Sequence, residues 1–176
     1  MQPPHPDAAL ARLARPLAEV SDPLAPPALR LLADLSVDVG TPLEVGEVPG
    51  QGQRRLIPIL GGTVRGPHWQ GRILPGGTDF QLIAGARLAL LEARYVIETD
   101  AGERIYVENR ALRSGPPALI ARLARGEPVD PALVYFRCTP RFEVSAPALR
   151  WMMERLFVGT GVRHPQQVLL RFFELG

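Results

Sequence analysis

Alternation of apolar and polar residues, the pattern of a β-strand with one buried face, recurs along most of the chain. Between residues 31 and 39 every second residue is apolar: Ala33, Leu35, Val37 and Val39. Because successive side chains of a strand point to opposite faces, this segment has one apolar and one polar face. Similar patterns predict further extended segments: 54–60, 63–64, 72–74, 78–83, 133–139 and 167–175.

The clearest hairpin joins residues 88–99 to 104–109 through the turn Asp100-Ala101-Gly102. One face of both strands is apolar, with Tyr95 and Asn109 embedded in it, and the other face carries charges of both signs. Buried polar groups need hydrogen-bond partners. This face is therefore expected either to close an internal network or to present one to a ligand.

Prolines and glycines mark the other elements. Pro116-Pro117 opens a short helix that Gly126 stops, and Ser145 with Pro147 favours a helix start before residues 149–156. Residues 1–28 are rich in Pro and Ala, and Asp7 there is suited to cap a short helix carrying Leu10, Leu13 and Leu17 on one face. We predict an N-terminal extension over 1–28 and a single domain over 29–176.

Composition favours a mainly β fold. The chain of 176 residues contains 17 Gly and 19 Pro, which separate short apolar runs, and this indicates many turns. The pattern predicts about eight to ten short strands with two or three short helices.

Charge and cysteine usage exclude several classes of function. All 20 basic residues are arginine and they are interleaved with acids, so no clustered surface for nucleic acid is expected. No apolar run approaches the roughly 20 residues of a membrane-spanning helix, and no signal-peptide pattern is present, so a cytoplasmic protein is expected. The single cysteine, Cys138, and three scattered histidines give no metal-ligand spacing, and we predict neither a metal nor a cofactor.

Four segments carry a resemblance to a known family. They are RRLIPILGGTVRGPHWQGRILPGGTDFQ at 54–81, RYVIETDAGERIYVENRALRSGP at 94–116, YFRCTPRFE at 135–143 and WMMERLFVGTG at 151–161. In this order they resemble the bacterial domain-of-unknown-function family 3237, also called UPF0311, over residues 31–175. The resemblance implies a compact antiparallel β-barrel without an assigned reaction. The sequence departs from the family pattern at Phe80 (usually Trp), Ala111 (usually Gly), Cys138 (usually Thr) and Met153 (usually Asn).

The glycine-rich segment 61–71 contains His68 and Trp69. A loop histidine titrates near neutral pH and is a candidate general base. Alternatively, His68 is an exposed or hydrogen-bonded loop residue, and the glycines form tight turns rather than the rim or lid of a pocket with Trp69 as its wall.

Asp79 and Gln81 share one face of an extended segment, and Phe80 takes the other face. If Phe80 points to the core, the two polar side chains are exposed or line a cavity mouth, and if it points outward they lie inside. An interior carboxylate needs a partner, for which Arg94 or Arg137 would serve. The alternative is an ion pair that fixes the barrel register.

These observations define a candidate site. His68 and Asp79 are the candidate catalytic proton carriers, and Arg94 and Arg137 are candidate clamps for an anion, although Arg137 also suits an ion pair with Glu143. The remaining candidate ligand-binding residues are Trp69, Gln81, Tyr95 and Asn109. Cys138 is expected to be an inert core residue.

We therefore expect a cofactorless barrel that binds a small anionic compound, carboxylated or carbonyl-bearing, and acts on it by acid–base chemistry. One alternative is a carrier or sensor without turnover, and another is a structural subunit that self-associates. A homodimer is expected because the segment 167–175 is apolar on both faces and closed two-fold dimers are the commonest oligomers.

Overall fold

A computed structural model describes residues 24–176 of the protein. Its strands are β1 (Leu29–Val39), β2 (Leu43–Val48), β3 (Gly52–Arg65), β4 (Gln70–Ile73), β5 (Gly77–Ala84), β6 (Leu88–Thr99), β7 (Arg104–Ser114), β8 (Tyr135–Val144), β9 (Phe157–Arg163) and β10 (Gln167–Leu175). One α-helix, α1 (Pro117–Ala124), and two 3₁₀ helices, Pro131–Leu133 and Pro147–Met153, complete the part described. The helix predicted after Asp7 lies outside the described residues.

The strands close into a barrel. Antiparallel pairing runs from β1 through β10, β9, β8, β7, β6, β5 and β3 back to β1, which makes eight strands in the closed ring. Of the two others, β4 lies between β3 and β6, and β2 pairs with β3 alone. The predicted mainly β fold and its antiparallel barrel are therefore confirmed.

The predicted hairpin forms the wall between β6 and β7. In its register Ala93 lies opposite Asn109 and Tyr95 opposite Val107, so the face that is apolar in sequence faces the barrel interior. Gly102 has a φ of 84° in the turn, a conformation that glycine adopts without strain. Strand β7 continues to Ser114, five residues beyond the predicted end at 109.

Strand β3 is continuous, whereas the sequence predicts a break at Gly61-Gly62. Both glycines have a positive φ, 149° and 143°, so the chain bends without leaving the sheet. Before this bend β3 pairs with β5, and after it with β4. A Cβ on Gly62 would collide with the Ser36 carbonyl oxygen of β1, so this glycine allows two strands to approach closely.

Strands β2 and β9 are absent from the sequence prediction. In β9, Gly159 and Gly161 interrupt the alternation, because a Cβ on either would come within 2.7 Å of Cys138 Sγ or the Phe136 ring. The helix predicted over 149–156 is a 3₁₀ helix that ends at Met153, and β9 begins at Phe157.

The barrel interior has an apolar end and a polar end. The apolar end contains Phe142, whose ring centroid lies 4.9 Å from that of Phe157 and 6.2 Å from that of Phe172. The 3₁₀ helix Pro147–Met153 packs against β8 there, with Leu149 and Met152 buried. The polar end lies toward α1. Among residues 24–176, no helix has the length and apolar character needed to cross a membrane.

Candidate functional site

Strand register places a set of polar side chains inside the polar end of the barrel. Arg55 of β3 lies opposite Gln81 of β5, and Asp79 lies opposite Ala93 of β6, which in turn lies opposite Asn109 of β7. Paired positions in a sheet point to the same face. The four polar side chains therefore share the interior face.

The orientation of β5, which the sequence left open, is settled by Phe80. Its side chain is on the outer wall and 38% exposed, whereas Gln81 is only 2% exposed. Asp79 retains some accessible surface, but its Oδ1 atom is buried. The carboxylate therefore lies on the inner wall of the barrel.

A chain of hydrogen bonds links Asp79 to α1. Gln81 Nε2 donates to Asp79 Oδ2 (2.5 Å), and Arg55 Nε donates to Gln81 Oε1 (3.0 Å). Arg55 Nη1 donates to the carbonyl oxygen of Ala124 (2.9 Å), the last residue of α1. A cation at a helix C-terminus is favourable, because the helix dipole is negative there. This contact fixes α1 against the polar end of the barrel.

Three arginines, Arg55, Arg113 and Arg163, lie near enough to Asp79 for their positive charges to act on its carboxylate. Burial raises the pKa of Asp79, and the hydrogen bond from Gln81 and the three positive charges oppose that rise. Burial lowers the pKa of Arg113 to about 10, which leaves its guanidinium charged at neutral pH. Glu44 lies 3.9 Å from Arg55 but is more than half exposed, so water screens its charge. The polar end therefore carries an excess of positive charge.

A small internal cavity of about 40 Å³ lies beside this cluster. Four of the atoms in its polar lining are buried and have no hydrogen-bond partner among the described residues: Asp79 Oδ1, Tyr95 Oη, Asn109 Oδ1 and Arg113 Nε. A water molecule needs about 10–15 Å³, so the cavity has room for one or a few small groups but not for a whole organic molecule. Buried polar atoms require partners, and these four remain to be satisfied.

An open cleft of about 1010 Å³ lies outside the cavity, where α1 meets the ends of β1 and β9. Arg55 and Arg163 form part of its wall, together with Leu123 and Gln167. Val39 lines both the cleft and the inner cavity, so the two spaces are neighbours. Ligand pockets typically measure about 300–1,000 Å³, which makes the cleft large enough for a small organic ligand.

The structure brings together four of the predicted site residues and separates the other four. Asp79, Gln81, Tyr95 and Asn109 line the inner cavity. The other four are His68, Trp69, Arg94 and Arg137, and none of them lines the cleft or the cavity.

His68 is exposed in the turn between β3 and β4, at the opposite end of the barrel from α1. Trp69 packs against the apolar core. The segment 61–71 is therefore not the rim or lid of this site. Its glycines Gly62 and Gly71 lie against the backbones of β1 and β6 instead.

The expectation that Arg94 or Arg137 partners Asp79 is wrong. Arg94 lies on the outer wall, 47% exposed, and forms an ion pair with Glu92. The Arg137 guanidinium also lies outside, with its Cζ 5.0 Å from the centroid of the Tyr135 ring. Each arginine follows a residue that faces the interior, Ala93 or Phe136, so alternation directs it outward.

The three arginines of the polar end were missed for separate reasons. Arg55 shares a face with Ile57 and Ile59, and that alternation was visible in the sequence. Arg113 shares the inner face of β7 with Asn109, but the predicted strand ended before it. Arg163 ends β9, a strand whose glycines conceal its pattern.

Metal and thiol chemistry find no support within residues 24–176. No group of three or more His, Cys, Asp and Glu side chains is placed there to hold a metal ion. Burial raises the pKa of Cys138 to about 12, so its thiol is protonated at neutral pH and is a poor nucleophile. The side chains that line the cavity and the cleft at the polar end therefore offer arginine, carboxyl, hydroxyl and amide groups and the imidazole of His164.

Comparison with known proteins agrees with the resemblance in sequence. The family model described as "Protein of unknown function (DUF3237)" matches residues 27–175. A UPF0311 protein of Rhodopseudomonas palustris is 48% identical over 136 residues, which cover 77% of this chain and 88% of the relative.

Two crystal structures are also similar. A conserved protein of unknown function from Rhodopseudomonas palustris has a TM-score of 0.80 at 42% identity, covering 85% of this chain and 98% of the other. A β-barrel-like protein from Acinetobacter baumannii has a TM-score of 0.77 at 37% identity, covering 89% of this chain and all of the other. With the family model matched over nearly all of the barrel, the chain belongs to the DUF3237 family.

Proposed function

We propose that the protein binds a small organic acid in the cleft at the polar end of the barrel, with the carboxylate held by Arg163 and Arg55. The observation that carries this proposal is the excess of arginine. Arg55, Arg113 and Arg163 all act on the buried carboxylate of Asp79, whose own charge is disfavoured by burial. The two other nearby acids, Glu44 and Asp38, are exposed, so water screens their charges. Buried charge without a counter-ion is costly, and a bound anion would supply one.

Arg163 is better placed than Arg55 for direct contact with the ligand carboxylate. Within the described residues its side chain makes one hydrogen bond, from Nη1 to the carbonyl oxygen of Gln167 (3.3 Å). A guanidinium has five N–H donors, so several remain for a ligand. Its planar fork matches a carboxylate, and such charged pairs are stronger than neutral hydrogen bonds.

Calorimetric titration with a panel of small carboxylates tests this proposal. We expect Arg163→Gln to weaken binding about 10- to 100-fold, because hydrogen bonds to charged groups contribute about 1.5–3 kcal/mol. Arg171→Gln is the matched control, since Arg171 pairs with Asp34 on the outer wall. Equal affinities in the wild type and Arg163→Gln would exclude this cleft as the binding site.

Acid–base turnover of the bound acid is the second candidate function, with Asp79 as the proton carrier. It is favoured by the unpaired Oδ1 atom of Asp79 in the inner cavity and by the raised pKa of that carboxyl. A catalytic acid or base works best when its pKa lies near the working pH. Asp79→Asn distinguishes an enzyme from a carrier: loss of turnover with binding retained supports the enzyme, and a wild type that binds without converting any acid is a carrier.

A further inference from the structure

We propose that the inner cavity is a subsite for one hydroxyl group of the bound acid, so that the site prefers hydroxy acids to plain carboxylates. The inference rests on the proposed function, because the carboxylate of the same molecule lies in the cleft. It concerns the hydrogen-bonding groups that line the cavity, Asp79 Oδ1, Tyr95 Oη and Arg113 Nε, rather than the net positive charge on which the proposed function rests.

Two of the unpaired atoms are hydrogen-bond donors. Tyr95 is 3% exposed and Arg113 is 2% exposed, and neither Tyr95 Oη nor Arg113 Nε has a partner among residues 24–176. An Nε–H group can only donate, whereas a phenol hydroxyl can donate or accept. Leaving such a group buried and unpaired costs about 1–3 kcal/mol. An oxygen atom with two lone pairs can accept from both.

The other unpaired atoms are acceptors. Asp79 Oδ1 and Asn109 Oδ1 line the same cavity and have no donor among residues 24–176, although the Asn109 side chain is hydrogen-bonded to Cys138. A carbonyl oxygen would leave both of them unsatisfied, because it has no proton to donate. A hydroxyl group accepts from Tyr95 and Arg113 and donates to Asp79. The mixture of donors and acceptors therefore selects a hydroxyl over a carbonyl group.

The volumes of the cavity and the cleft also indicate which part of the ligand lies in each. About 40 Å³ admits a hydroxyl group but not a carbon chain with its carboxylate. The remainder of the molecule must lie in the adjoining cleft, where Arg163 forms part of the wall. Because Val39 lines both spaces, a ligand that reaches from the cleft into the cavity must carry its hydroxyl group close to its carboxylate.

A matched series of four-carbon acids tests the inference: butyrate, 2-hydroxybutyrate, 3-hydroxybutyrate and 2-oxobutyrate. Calorimetric titration of the full chain should give at least one hydroxy acid about tenfold tighter than butyrate, since a net hydrogen bond contributes about 1 kcal/mol or more. The same hydroxy acid should bind more tightly than 2-oxobutyrate.

Tyr95→Phe locates the effect. It should reduce the advantage of the hydroxy acid while leaving the affinity for butyrate within about twofold. The substitution only removes a hydroxyl group that has no partner among the described residues, so the fold should tolerate it. Tyr135→Phe is the matched control, because Tyr135 is exposed on the outer wall.

The possible failures are distinguishable. If butyrate binding depends on Arg163, but neither 2-hydroxybutyrate nor 3-hydroxybutyrate binds more tightly than butyrate, the inference fails and the cavity is a water site only. If the hydroxyl adds affinity that Tyr95→Phe leaves unchanged, the hydroxyl lies elsewhere and the inference also fails. If none of the four acids binds, both the inference and the proposed function fail.

Discussion

At the scale of single residues, the proposed acid–base chemistry depends on the environment of Asp79. Its Oδ2 atom accepts a hydrogen bond from Gln81, whereas its Oδ1 atom is buried and has no hydrogen-bond partner in the part of the chain that the structure describes. Burial disfavours the charged carboxylate, and the surrounding arginines only partly offset this effect. Asp79 therefore holds its proton to a higher pH than an exposed aspartate, which suits a group that exchanges a proton with a ligand.

Stability should depend on pH through this residue. Because the pKa of Asp79 is raised on folding from its ordinary value of 3.8, the folded protein binds more protons than the unfolded chain just above that pH. The contribution of Asp79 to stability is greatest below the unfolded pKa, falls as the pH rises toward the folded pKa, and is constant above it. Asp79→Asn removes this dependence.

We expect the melting temperature of Asp79→Asn, measured relative to that of the wild type, to be higher at pH 7 than near pH 4. The reason is that the wild type loses stability as the pH rises toward the raised pKa of Asp79, whereas the variant does not. Calorimetry at the two pH values measures this change. Asp100→Asn, the same substitution at an exposed turn, should show no such change. A melting-temperature difference for Asp79→Asn that is equal at both pH values would contradict the raised pKa.

At the scale of secondary-structure elements, alternation predicts a strand well where one face is clearly apolar and the other clearly polar. The β6–β7 hairpin and the inward Tyr95 and Asn109 follow from alternation alone. The sequence could not show whether the Asp79 side chain points into the barrel. An apolar residue in a strand usually faces the core, but Phe80 lies on the outer wall. Arg163 was missed because the glycines of β9 are required by Cys138 and Phe136, which are neighbours only in the folded barrel.

The bend of β3 gives a prediction at this scale. Gly62→Ala should destabilise the protein strongly, because it combines an unfavourable positive φ, which costs about 1–3 kcal/mol, with a collision against Ser36. Gly76→Ala is the matched control: its φ is 103°, but a Cβ there meets no atom within 4 Å. Urea unfolding should show the larger loss for Gly62→Ala. Equal losses in the two variants would mean that β1 and β3 are not in close contact at this point.

At the scale of the whole molecule, the barrel has an interior with one apolar and one polar end, and an apolar groove on its outer wall. The interior is apolar around Phe142 and polar around Asp79, and α1 contacts the polar end through Arg55. The outer wall has a groove of about 850 Å³ whose lining includes exposed apolar side chains: Phe80, Leu90, Leu112 and Tyr135. Pairing between distant strands creates both regions, so neither could be located from sequence alone.

Self-association remains a prediction, and the groove is where we expect it. Exposed apolar patches of this kind often mark interaction surfaces, and a second copy of the chain is the commonest partner. Light scattering should give a mass twice that of the 19.2 kDa chain, and Leu112→Glu should lower the measured mass to that of a single chain. Leu156→Glu, an exposed leucine outside the groove, should leave the dimer intact. A monomeric wild type at high concentration would contradict the dimer.

A crystal structure of the protein with a bound small carboxylate tests the central claim most directly. The proposed function predicts that the carboxylate oxygens lie about 2.7–2.9 Å from the guanidinium of Arg163, the usual length of such charged hydrogen bonds. The ligand should occupy the cleft beside Val39 and direct its hydroxyl group, when it has one, toward Tyr95. A carboxylate bound at the His68 turn or in the outer groove, with the cleft free of ligand, would contradict the account.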